Sequence, residues 1–320
     1  MYKSKRHFFA TVAAVAVASA LLSPLAQAGD YPDRPITLLV GYAAGGQTDL
    51  VARAAAMAMA KDLGQPIKVV NKPGAGGAVA AQTLLQSSAD GYTVLLHPNV
   101  TVNLAPLLME RIPFKVDQFA YAGMLTAYQL GLVAHKEAPY NNLAQFVSWA
   151  KSNPGFSYGS LGPSANLYID ALVKAHDLRA NIVPLKGGGD MVNSVLGKQV
   201  ALAWSGGIHK KYPEQMKMLA AVTTFRHPSD PQVETIDEAG YPLGMDTRLT
   251  LMLPVDAPRP LLDRLAQALK AAAEDADFKK IVATAHIPIM FKGVDAARQE
   301  MQQSYARNKA ILEGAGIQPK

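Results

Sequence analysis

Four glycine-rich stretches of this 320-residue chain each stand between a strand-like and a helix-like segment. They are Ala43-Ala44-Gly45-Gly46-Gln47-Thr48, Pro73-Gly74-Ala75-Gly76-Gly77, Gly159-Ser160-Leu161-Gly162-Pro163-Ser164-Ala165-Asn166 and Lys186-Gly187-Gly188-Gly189-Asp190. The chemistry open to such stretches is anion binding. The first N–H groups of a helix lack partners within it, and the macrodipole adds partial positive charge there. Glycine lets a ligand approach the backbone and permits φ > 0. Any one of them also serves as an ordinary connector. Four in one chain point to convergence, because βα loops gather at the carboxyl ends of parallel strands.

The anion does not read as a nucleotide phosphate. Gly41 to Thr48 follows the phosphate-loop spacing, but Gln47 stands where that loop needs lysine. Gly74-Ala75-Gly76 opens a dinucleotide fingerprint that Val79 breaks at its last glycine. A carboxylate suits the pattern better, since it needs backbone donors and hydroxyls but no lysine, metal or cofactor. Catalytic patterns are weak: there is no His-Glu-x-x-His, and Ser160 sits in a distorted version of the Gly-x-Ser-x-Gly elbow. Ser160 is therefore a ligand donor or, as the alternative, the nucleophile of an exported hydrolase. His97 closes a strand ahead of Asn99 and Thr101; it either touches ligand or only satisfies the strand end. Trp204 and Tyr128 wall a pocket or belong to the core. Asp49 either caps the first helix or meets a ligand ammonium. Met57 and Met59 read as core.

The elements that must position these residues alternate along the chain. Apolar runs at Ile36–Gly41, Ile67–Val70, Tyr92–His97, Gly131–His135, Phe156–Gly159, Ile182–Pro184 and Val200–Trp204 read as strands buried on both faces. Helical patterns cover Thr48–Leu63, Gly77–Gln86, Asn142–Lys151 and Ala165–His176 between them, with Pro260–Asp275, a strand at Ile287–Phe291 and Val294–Ala315 at the end. The fold class is α/β with mostly parallel sheets. The best breaks lie near Thr126–Tyr128 and Gly244–Arg248. They make 128–247 one lobe and 29–127 plus 248–320 the other.

Residues 1–28 read as a cleavable secretory signal: a basic head (Lys3, Lys5, Arg6), an apolar run from Phe8 to Leu22, then Ala26-Gln27-Ala28. Cleavage would remove 28 of the 320 residues and three of the Lys/Arg, so the net charge falls from +6 to +3. That mild balance, without basic runs interleaved with aromatics, does not describe a nucleic-acid binder. The chain has no cysteine, so neither a disulfide nor a lipidated cysteine is available.

"YPDRPITLLVGYAAGGQTDLVAR", "LGQPIKVVNKPGAGGAVAAQ", "ADGYTVLL", "YGSLGPSANLY", "VPLKGGGDMVNSVLGKQVALAW" and "EAGYP" occur in this order. The set resembles the periplasmic solute receptors of tripartite tricarboxylate transporters, the Bug proteins, over essentially the whole chain after the signal. The resemblance implies a two-lobed type II periplasmic binding protein fold with a hinge. It implies a monomer that holds a ligand carboxylate with two loops and feeds a membrane permease without catalysis. A ligand-presenting subunit of a sensor kinase is the alternative. The matching loops are Tyr42–Asp49 and Ser160–Asn166, so the candidate ligand residues are Tyr42, Ala43, Gly46, Gln47, Thr48, Asp49, His97, Asn99, Thr101, Ser160, Gly162, Ser164, Ala165, Asn166, Lys186, Trp204 and Ser205. The chain departs from the family's usual Phe-Ala-Pro-Gly-Gly at Tyr42-Ala43-Ala44, and from its Ser-His pair at Asn166-Leu167. Ala201 and Ser205 replace acids, which suggests a less polar ligand, an aromatic acid among the candidates.

Overall fold

The computed structural model describes residues 31–316; the signal segment assigned above and the last four residues lie outside them. The chain divides after Asp33, and the fold is that of the part from Arg34 onward. Strand β1 (Ile36–Val40), helix α1 (Gln47–Leu63), β2 (Ile67–Asn71), α2 (Ala78–Leu85) and β3 (Thr93–Pro98) come first. Two short helices, α3 (Val100–Asn103) and α4 (Ala105–Leu108), lead to β4 (Phe119–Ala127). A second set follows: β5 (Gly131–His135), α5 (Leu143–Ser152), β6 (Phe156–Ser160), α6 (Pro163–His176), β7 (Ala180–Pro184), α7 (Gly188–Leu196), β8 (Leu202–Ser205) and β9 (Met216–Ala221). The chain returns as β10 (Arg248–Pro254), α8 (Arg259–Glu274), α9 (Ala276–Thr284), β11 (Ile289–Lys292) and α10 (Val294–Gly314). Among the described residues no helix is long and apolar enough to cross a membrane.

These strands build two sheets, in the orders β11-β4-β10-β3-β1-β2 and β7-β6-β8-β5-β9. Each is covered by helices, giving a two-lobed α/β molecule. The sheets are mixed rather than mostly parallel: four pairings are parallel and five antiparallel. Parallel pairs arise inside the βα units. The antiparallel ones arise because the chain leaves the first sheet along β4 and comes back along β10, whose register runs against both β3 and β4.

α1 buries Ala52, Ala55, Ala56, Met59 and Leu63, and stops at Gly64, whose φ of 70° closes the last turn with an N–H bond to the Ala60 carbonyl. Met59 is core, whereas Met57 lies on the outer face, 59% exposed. In the second lobe Leu132, Tyr158, Leu202 and Phe146 form one core under α5 and α6, and Val133, Met191, Val195 and Ala203 form the other under α7. The two crossings between sheets run side by side. Arg248 pairs with Ala127 in register, and the Tyr128 N–H donates to the Thr247 carbonyl at 2.9 Å.

Candidate functional site

Register places the glycine loops. In the first sheet the Pro98 end of β3 pairs with Leu249, beside the Ala127–Arg248 crossing. In the second sheet Gly159 pairs with Ala203, Ser160 with Pro184, and Ser205 with Gly131. The carboxyl ends of β6, β7 and β8 therefore lie level with the start of β5, just past the same crossing. Both sets of βα loops open on the side where the chain passes between lobes.

The first loop is exposed from Tyr42 to Gly46, Ala43 included. Gly45 alone carries the left-handed φ of 83°. Gly46 is the N-cap of α1 at φ −79°, an extended conformation that supplies no side chain to the helix end. Leu50 is the first residue whose N–H bonds back, to Gly46, so the N–H groups of Gln47 and Thr48 have no intrahelical acceptor.

Asp49 is buried and committed to the loop itself. It accepts from the Gly45 N–H at 2.9 Å, from Arg53 Nε at 3.0 Å and from Asn71 Nδ2 at 2.8 Å, while the same amide donates to the Tyr42 carbonyl. Burial alone would raise its pKa; the bonds from Arg53, Gly45 and Asn71 outweigh that and hold the carboxyl below its ordinary value. Neither cap nor ammonium site describes it. Asn71 and Arg53 carried no signal of their own in the sequence, although Asp49 and Arg53 have the i,i+4 spacing of a helical ion pair. Replacing Asp49 with Ala is expected to lower stability by about 1–3 kcal/mol, because it strips acceptors from buried donors. Urea unfolding of the variant beside wild type measures it.

His97, Asn99 and Thr101 are sealed under this surface and do not face it. The His97 ring accepts the Gly41 N–H on Nδ1 at 3.2 Å and lies edge-on to Tyr42 at 4.4 Å. Asn99 accepts the Arg248 N–H at 2.8 Å, and Thr101 donates to the Gly76 carbonyl at 2.8 Å. All three brace the loops and the crossing. Thr48 reaches the crossing directly, sharing a 2.5 Å hydrogen bond with the Tyr128 hydroxyl.

The second loop starts its helix earlier than the pattern suggested. Gly162 is the N-cap (φ 127°) and Pro163 the first helical residue, so Ser164 sits inside the first turn and is not the cap. Proline has no N–H, and the Ala165 and Asn166 N–H groups fold back onto the Gly162 carbonyl at 3.0 and 3.3 Å. The Ser164 N–H is the donor left over at this helix end. Ser160 donates to Asn166 Oδ1 at 2.5 Å and to the Gly162 carbonyl at 3.1 Å, and accepts the Gly162 N–H. Its partners among the described residues are Asn166 and the Gly162 backbone, with no histidine.

The fourth loop repeats the device of the first: the Lys186 N–H donates to Asp190 Oδ2 at 2.9 Å. The Lys186 ammonium pairs with no acid among the described residues. Ser205 is fully buried, bonded to His209 Nδ1 at 2.8 Å, and belongs to the core. Among the described residues no cluster of His, Asp or Glu is placed to hold a metal. A cavity of about 810 Å³ lies between α6 and α10 and involves none of these loops. The donors, not the volume, mark the candidate site.

A two-lobed α/β molecule with helix N-termini turned toward an interlobe crossing is the architecture of a periplasmic binding protein. Residues 51–317 match the tripartite tricarboxylate transporter family receptor, and the chain belongs to that family. A UPF0065 protein of Bordetella pertussis is 30% identical over 97% of both chains. The solved periplasmic binding protein BugD is 27% identical, with a TM-score of 0.73 over 91% of this chain and all of its own. MatC from Rhodopseudomonas palustris, solved with bound malate, is 25% identical with a TM-score of 0.69 over 88% of this chain and all of its own.

Proposed function

We propose that this protein is a periplasmic solute-binding protein that captures a small organic carboxylate between its lobes and delivers it to the permease of a tripartite tricarboxylate transporter. What supports this reading is that two glycine-capped helix ends, one beside each sheet, open on the side where the chain passes between the sheets. The Gln47 and Thr48 N–H groups of α1 and the Ser164 N–H and hydroxyl of α6 supply donors of the kind a carboxylate accepts. Gly46 and Gly162 keep the approach open, and Asn166 and Lys186 read the remainder of the ligand. Malate on MatC supports the ligand class. Ser160, tied to Asn166, holds the second loop in shape and performs no chemistry.

Residues 1–28 direct export. The segments 29–127 with 248–320 and the segment 128–247 move as the two lobes, closing around the ligand. A thermal-shift screen with malate, adipate, citrate and benzoate tests the reading. A true ligand at about 100 times its Kd adds about 2.7 kcal/mol to apparent stability. Recovery of the bound acid chemically unchanged is expected. A panel that leaves Tm unmoved, or a ligand recovered as a different compound, would overturn it.

A further inference from the structure

We infer that the ligand is a carboxylate with an apolar, aromatic body, and that Trp204 is the platform on which that body lies. The inference rests on the carboxylate reading above and deepens it. The alternation of three neighbouring strands carries it. On β5 and the residues before it, Leu130, Leu132 and Ala134 point into the core under α5 and α6, and Tyr128 packs against that same core. On β8, Leu202 lies in this core and Trp204 packs against it. On β6, Phe156 and Tyr158 lie in it, which puts Ser160 on the same face. The strand order β6-β8-β5 and the pairs Gly159–Ala203 and Leu132–Trp204 set Ser160 beside Trp204 at the sheet's carboxyl edge, with Tyr128 four residues before Leu132 and so beyond that edge.

Tyr128 and Ser160 are where the two carboxylate loops attach. Tyr128 bonds Thr48 of the first, and Ser160 bonds Asn166 of the second. Trp204 is the cross-strand neighbour of Ser160, on the face that Tyr128 shares. Leu202 and Ala203 of its strand are fully buried, but Trp204 is only partly buried. Its ring leans forward past the end of the strand, over Gly206: a Cβ built there would lie 3.5 Å from Cζ3 and 3.6 Å from Cη2. Lys186, unpaired among the described residues, lies past the end of β7, on the far side of β6 from Trp204; the other charged groups nearby are engaged. Asp49 is paired with Arg53, and Lys210 is paired with Asp230. A ligand held at one end by backbone donors thus meets an indole face and a tyrosine, which favour a flat apolar body over a second carboxylate.

The sequence has two tryptophans, and this makes the test specific. Trp149 sits in a separate ring cluster with Tyr140, Phe146 and Phe156, at the amino end of β6 and away from Ser160. A Trp149→Phe protein leaves Trp204 as its lone indole. Benzoate is expected to change its emission saturably, and calorimetry should find benzoate bound about tenfold more tightly than adipate. Trp204→Leu, which keeps an apolar side chain on the core, is expected to remove that preference while the urea midpoint stays close to wild type. Adipate binding more tightly than benzoate, or benzoate binding with silent emission, would overturn the aromatic inference and leave the carboxylate reading standing. If neither these acids nor malate bind, both readings fail.

Discussion

Gly77→Ala is expected to destabilise the protein by about 3–5 kcal/mol, whereas Gly46→Ala should change stability little. The two positions look alike in the sequence, each the last glycine of a βα turn. In the fold they differ in conformation and in surroundings. Gly77 has a φ of 100°, and a Cβ there would meet His97 Nε2 at 2.1 Å and Cδ2 at 2.6 Å. His97 cannot swing aside, because its other nitrogen holds the Gly41 N–H and its ring is fully buried. The same ring crowds Gly41, where a Cβ would lie 2.9 Å from Cε1. Gly46 is extended, and a Cβ there would meet nothing nearer than the Ala43 carbonyl at 3.7 Å. Paired urea titrations of the two variants separate the cases. A Gly77→Ala protein with the wild-type midpoint would mean that His97 does not wedge between the first two loops.

What could be read in advance follows from what each signal reports. Short runs rich in Val, Ile and Leu, such as Ile36–Val40 and Thr93–Pro98, declare buried strands. The strands β4, β9 and β10 do not: FAYAGMLTA, MKMLAA and RLTLMLP are built largely from alanine, methionine and leucine, which favour helix. They are strands because they are buried almost throughout, seven residues of β10 and nine of β4 without exception, and tertiary burial overrides local preference. The glycine loops were legible because a backbone anion site advertises itself by its glycines. Direction was not. Residue type alone cannot tell that His97, Asn99 and Thr101 point beneath the loops, or that the α6 cap falls on Gly162 and not Ser164. Asp49 was ambiguous for the same reason: its three donors come from Gly45, Arg53 and Asn71, the last of them contributed by the neighbouring strand.

Acid is expected to unfold this protein earlier than its carboxylates alone would dictate, with stability declining from about pH 6.5 downward. Three fully or nearly fully buried histidines are the cause. Burial pushes His97 down to about 4, with only part offset by the Gly76 carbonyl. Burial, with the charges of Lys210 and His227 adding to it, pushes His209 to about 3. Burial also pushes His227 to about 4, against its bond to the Tyr128 carbonyl at 3.2 Å. On His227 the Nδ1 that would take the added proton has no hydrogen-bond partner among the described residues, and on His97 the added proton would fall on Nδ1, which already accepts the Gly41 N–H. The direction follows from proton counting. Unfolded, each ring takes a proton near its ordinary value; folded, it stays neutral until far lower pH. Between those two values the unfolded state holds more protons, so stability falls as pH falls, and the loss levels off below the folded values. At pH 4.5 each histidine removes about 2 to 3 kcal/mol, and three of them together are of the order of the total stability of about 5–15 kcal/mol of an ordinary fold. Urea midpoints taken from pH 7.5 to 4.5 measure the slope. Carboxylates with lowered values act only when the pH approaches their own range, so a decline that begins near pH 6.5 identifies the histidines. His227→Phe should flatten part of that decline, because a neutral ring has no proton to gain; a flat profile in the wild type down to pH 5 would show that the rings are hydrated enough to titrate freely in the folded state.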